Sequence, residues 1–232
     1  MAAQKSKRLF GNVHPAIIVV WAAIIAASGL LPGIPLMGVG GVMSVTTALL
    51  PLAGIMFGPV AGTLSAAIGC FIGQLIAPAT AVLGVWSFLI GTVNALLAGL
   101  YWERKNWFYV LGYCALTIVL WLSHPIGRSA WIFAVLFHGT GLVTAIVSCI
   151  FGRKWLLGKN VVLKTIVIFL MCYSSIVMAA AGVDYLAIIL WATPAITWKL
   201  LAFTAPVERL FFAIAATIVG VPLMMALPKV GV

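Results

Sequence analysis

The stretch GPVAGTLSAAIGCFIGQLIA, from Gly58 to Ala77, decides the fold. Gly58, Gly62, Ala66, Gly69, Gly73 and Ala77 recur in it at steps of three or four, so a helix of about 3.6 residues per turn gathers them on one face. The stretch carries no charge and is long enough to cross a bilayer core of about 30 Å. It reads as a membrane helix whose small-residue groove lets another backbone come close.

The rest of the chain has the same character. Of 232 residues 65% are hydrophobic and 7% charged, with mean hydropathy +1.26. No water-soluble core hides that much apolar surface, so the expected fold is an all-α integral membrane protein, a single transmembrane domain over residues 1–232. Thirteen Lys and Arg against three acids give a net charge of +10, but the basic residues fall between apolar runs. That placement indicates topology rather than a nucleic-acid partner. Cys70, Cys114, Cys149 and Cys172 stand singly in apolar segments, as small packing residues do. A cleaved leader is the lesser reading of the N-terminus, because the run 13–31 is long enough to span.

Apolar runs occupy 13–31, 42–57, 59–77, 82–101, 107–122, 129–152, 162–182 and 206–228, with an ambiguous stretch at 185–203, which makes eight or nine. Gly58-Pro59 joins two of them, Pro78 ends the third, and His124-Pro125-Ile126-Gly127 separates the fifth from the sixth. If the runs alternate, Lys5, Lys7, Arg8, Arg104, Lys105, Arg153, Lys154, Lys159 and Lys164 share one side, expected to be the cytoplasm with the N-terminus, while Met37 and Arg128 face outward. The favoured reading of 185–203 is a dip that returns, leaving Lys229 cytoplasmic; the alternative is a full crossing.

Small-residue stripes recur in Ser87, Gly91, Ala95 and Ala98, and in Ala134, His138, Gly141, Ala145, Ser148 and Gly152. In the first run WAAIIAASG (21–29) offers two adjacent pairs, Ala22/Ala26 and Ala23/Ala27. Packing within one subunit and a face kept for a partner both account for such pairs.

Catalytic equipment is missing. Glu103, Asp184 and Glu208 are the acids, far apart in sequence, and His14, His124 and His138 are isolated, so neither catalytic residues nor a metal set is expected. The run from Gly152 to Asn160 approaches a phosphate-binding loop but has one residue too many and Asn where Ser or Thr belongs. Asp184 after Gly182 reads as a cap of the next helix, Glu208 as a first-turn acid, and His138 as an interhelical hydrogen bonder. Buried packing and ligand contact stand level for the amides Gln74 and Asn94.

The AxxxA pairs of the first run, the segment LAGIMFGPVAGTLSAAIGCFIGQLI (52–76), the following VLGVWSFLIGTVNALLAGLYWERK (82–105) and the closing PVERLFFAIAATIVGVPLMMAL (206–227) together resemble the S component of energy-coupling factor (ECF) transporters. The family normally has six spans where eight or nine are counted here, so the expected fold is a bundle of six to nine transmembrane helices, S-component-like, in the plasma membrane, and the resemblance implies that it is no enzyme and needs no cofactor. It implies capture of a vitamin or related micronutrient from outside, and delivery through a transmembrane coupling subunit powered by two cytoplasmic ATPases. The pocket would lie at the outward ends of the helices, with Met37 and Val39 in its cap, Gln74 and Trp86 beside the loop 77–82, and Arg128 and Asp184 behind. Ala22, Ala23, Ala26 and Ala27 would dock the coupling subunit. The alternative is a secondary transporter or channel acting alone, for which Asp184, Glu208, Lys199 or a histidine would carry ion coupling.

Overall fold

The computed structural model describes residues 13–36, 41–101 and 106–226. Met37, Val39, Lys5, Lys7, Arg8, Glu103, Arg104, Lys105 and Lys229 lie outside the described residues. Helix α1 (Pro15–Ser28) starts where His14 Nδ1 accepts from Ala16 N at 3.2 Å, with Pro15 in the first turn, where a missing N–H is harmless. A short antiparallel ribbon of β1 (Ile34–Pro35) and β2 (Val42–Met43) follows. The remaining elements are helical: α2 (Thr46–Ile76), α3 (Phe88–Leu100), α4 (Trp107–Ser123), α5 (Pro125–Ser129), α6 (Trp131–Phe133), α7 (Gly139–Leu157), α8 (Val161–Trp191) and α9 (Ala195–Ala226). A π-helical turn, Ala134–His138, joins α6 to α7.

The element α2 is two helices. Gly58 has φ 80° and ψ 177°, a backbone state outside the reach of side-chain-bearing residues, and Pro59 starts the second arm. A Cβ built on Gly62 would lie 2.4 Å from the Ala53 carbonyl oxygen. A straight helix would hold residues nine apart roughly 13 Å from each other. The arms 46–57 and 59–76 therefore run antiparallel from a turn at Gly58, as the Gly-Pro pair predicts. The first arm begins four residues later than the apolar run because Val42 and Met43 belong to the ribbon.

Three expectations about the second half are corrected. The stretch 185–203 neither dips nor crosses as a unit: its first part ends α8 and its last part begins α9, with the break at Ala192, whose φ of 46° ends α8, and Pro194 beyond it. Asp184 is not a cap but an interior residue of α8, because Gly182 does not stop the helix. Gly182 is instead a notch for Tyr113, whose hydroxyl would lie 2.3 Å from an added Cβ. Likewise Glu208 lies deep in α9, not in a first turn.

Helix α8 is the central post of the second half, with every residue from Met171 to Ala181 buried. Gly141 of α7 seats against Val177 and Met178, and Gly220 of α9 against Leu52 and Ile168. Tyr101 and Ser174 hydroxyls meet at 2.5 Å and bind the two halves. Outward faces carry Val19, Ile24, Phe71, Leu75, Phe203, Phe211 and Ile218, all exposed, which suits acyl chains and would be untenable in water. Helices 131–157, 161–191 and 195–226 have the length and apolarity of membrane-crossing segments, as do residues 46–76 taken as a whole although the Gly58 turn divides them, and 15–28, 84–100 and 107–123 are shorter apolar helices. The chain is an all-α, multi-pass membrane protein.

Candidate binding site

One end of the bundle is marked by the Gly58-Pro59 turn, against which Gly99 packs, and by Gly152 beside Met171. Described basic residues Arg153, Lys154, Lys159 and Lys164 belong to this end. At the other end the Ser28 and Thr46 hydroxyls meet at 2.8 Å, Gly29 approaches Ala77, and the chain opens into a cavity. The cavity gives the centre of a water-sized sphere about 170 Å³ in which to move.

Its walls are largely apolar. Ile25, Leu36, Leu50, Trp191 and Trp198 line it together with Val42 and Met43 of the ribbon. Trp198 Nε1 donates to Thr193 O at 3.3 Å, and its ring meets Trp121 and Phe133 edge-on at 5.0 and 5.2 Å. Behind it His138 is fully buried among Trp121, Phe133 and Phe137 rings. The expected interhelical hydrogen bond of His138 is not made: neither ring nitrogen has a partner among the described residues.

The polar lining is sparse and specific. Gln74 is buried, its Nε2 donating to Val85 O at 3.0 Å and its Oε1 accepting from Phe88 N at 3.1 Å. It therefore pins the loop that enters α3, and both ends of its amide are engaged. Asn94 of α3 is buried and its Oδ1 is unpartnered. From α8, Asp184 brings a buried carboxylate oxygen, Oδ2, that is likewise unpartnered. From α9, Arg209 donates from Nη1 to Glu208 Oε2 at 2.5 Å, holds its guanidinium 5.3 Å from the Phe137 ring centroid, and leaves Nε without a partner.

Of the residues singled out by sequence, Gln74 and Asp184 come together at this cavity. Trp86 does not line it and is exposed, in the 3-10 turn before α3. Arg128 also stands apart: it is exposed on α5, and its Nη2 donates to Ser123 O at 3.0 Å, which satisfies the end of α4. Arg209 was missed as a lining residue, although an arginine in the middle of an apolar segment is a functional signal in its own right.

The four alanines of α1 divide. Ala22 and Ala26 are buried against the second arm of α2, where Gly69 brings the position of a Cβ to 2.7 Å from Ala22 O and Gly73 to 3.5 Å from the Ala26 Cα. That pair is internal packing, so it cannot also meet a partner. Ala23 and Ala27 are exposed. The phosphate-loop-like run is no loop either, since Gly152 to Leu157 are the last turns of α7.

The fold and site together define a multi-pass membrane protein with a cavity at one end of its bundle. Residues 14–122 match the family model described as the ECF-type riboflavin transporter, S component. The match spans somewhat less than half of the chain, and over those residues the chain is similar to the S component of an ECF transporter. Comparison with curated proteins and with solved structures returned no match. The matched residues build α1 to α4; the closing PVERLFF segment, and with it Asp184, Trp198 and Arg209, lies outside the match.

Proposed function

We propose that this chain is an ECF S component, which captures riboflavin or a closely similar flat heterocycle in the cavity and passes it to a transmembrane coupling subunit driven by two ATPase subunits. The observation that carries the reading is the cavity itself, apolar and aromatic with a few buried polar atoms left unpartnered, at one end of a chain whose first half matches a riboflavin S-component family. Pockets for drug-sized ligands have this make-up, and Trp191 and Phe88 are aromatic lining residues suited to a conjugated ring. Four basic residues at the opposite end support a cytoplasmic placement of that end, which turns the cavity outward in the plasma membrane and leaves the N-terminus cytoplasmic. The exposed pair Ala23/Ala27 supports docking of the coupling subunit there, since small residues let helix backbones approach closely in lipid.

Titration of the purified chain in detergent with riboflavin is the test. Flavin emission is expected to fall as aromatic walls surround the ring and to saturate at one equivalent. Emission that falls only linearly with protein, with no saturation into the micromolar range, would rule the ligand out.

A further inference from the structure

Resting on the flavin reading, we propose that Asp184 sets which solutes are accepted, by taking a hydrogen bond from a ring N–H of the ligand and by turning phosphorylated forms away. Asn94 and Asp184 both line the cavity, and each has a buried oxygen without a partner, Asn94 Oδ1 and Asp184 Oδ2, both acceptors. Buried polar atoms are ordinarily paired, so these two call for a ligand that brings donors. Arg209 also lines the cavity, and its Nε is an unpartnered donor that calls for an acceptor.

The charges point the same way. Asp184 and Arg209 are the charged side chains lining the cavity among the described residues. The guanidinium already holds Glu208 at 2.5 Å, whereas Asp184 has no ion-pair partner among those residues. With its carboxylate ionised, Asp184 sums with Glu208 and Arg209 to one negative charge, in surroundings where charges interact strongly. A dianionic phosphate brought to this wall meets net repulsion. A neutral imide ring, with an N–H between two carbonyls, meets an acceptor for its hydrogen and a donor for one oxygen. Asp184 and Arg209 both lie beyond the residues that match the family, so this discrimination is contributed by α8 and α9.

The test measures affinities of three probes for the purified chain and for Asp184→Asn: riboflavin, its N3-methyl derivative, which lacks the imide hydrogen, and flavin mononucleotide. For the unaltered chain both derivatives are expected to bind about tenfold to a hundredfold more weakly than riboflavin, the range of a hydrogen bond to a charged group. In Asp184→Asn riboflavin should weaken by a similar factor, the N3-methyl derivative should change little, and flavin mononucleotide should tighten. Equal affinity of the unaltered chain for all three probes overturns the assignment even if the variant fails to fold. Riboflavin binding that survives unchanged in Asp184→Asn overturns it while leaving the flavin reading intact. If the unaltered chain binds none of the probes, the flavin reading falls and this assignment with it.

Discussion

Ala23→Trp is expected to reduce ATP-driven uptake by roughly tenfold or more while the isolated chain stays folded and binds its solute with unchanged affinity. Ala23 lies on the open face of α1 beside Val19, Val20 and Ala27, so an indole there projects into lipid, where it meets no protein atom of its own chain. A docking helix would meet it. Association of helices in lipid lacks a hydrophobic driving force and depends on close backbone approach, which a bulky side chain at the centre removes. The same substitution one residue earlier, Ala22→Trp, should behave oppositely. Its side chain would enter the contact with Gly69, and overpacking of about 1–3 kcal/mol or more would lower stability and binding together. Thermal midpoint, solute affinity and co-purification with the coupling subunit distinguish the two. Parallel loss of binding and transport in Ala23→Trp would mean that this face is internal as well.

Gly54→Ala is expected to be the most damaging single-methyl substitution considered. The new Cβ would sit 2.0 Å from Ala95 O and 2.7 Å from Gly99 N, both backbone atoms of α3 that cannot rotate away. Relief requires α3 to move off the first arm of α2, at about 3 kcal/mol or more by analogy with overpacked cores. An alanine would by itself favour the helix by about 1 kcal/mol, so a glycine here is explained only by this contact. Leu50 on that arm and Asn94 on α3 both line the cavity, so solute affinity should fall with stability. Thermal unfolding in detergent, followed by solute titration, measures both. A wild-type midpoint would show that the two helices are not in contact as described.

What could be read from the chain alone divides along a physical line. Local backbone chemistry was legible: Gly58-Pro59 marks the reversal in α2, and His124-Pro125 separates α4 from α5. The glycine stripe of 58–77 was legible as close packing too, with Gly62 against the first arm and Gly69 and Gly73 against α1. Which partner each stripe meets was not. Ala22/Ala26 and Ala23/Ala27 are chemically identical pairs on neighbouring faces, and lipid and protein interior are equally apolar, so hydropathy does not say which pair is covered. Gly182 followed by Asp184 looked like a helix end because glycine weakens helices, but packing of Tyr113 into the gap outweighs that local preference. The meeting of Asp184, Arg209 and Asn94 depends on how α3, α8 and α9 pair, which no local pattern encodes. Trp86 illustrates the converse: an aromatic near a helix end serves equally as a ring platform or as an interfacial anchor, and it stands outside the cavity.

If the chain works as proposed, it captures solute but does not itself move it. Vesicles containing the chain alone, loaded to hold either a proton gradient or none, are mixed with labelled riboflavin, and bound and accumulated label are separated by detergent release. The account predicts label bound in proportion to the chain and no accumulation in either condition, with accumulation appearing only when the coupling subunit, the ATPases and ATP are added. Accumulation by the chain alone that collapses with the proton gradient would contradict it.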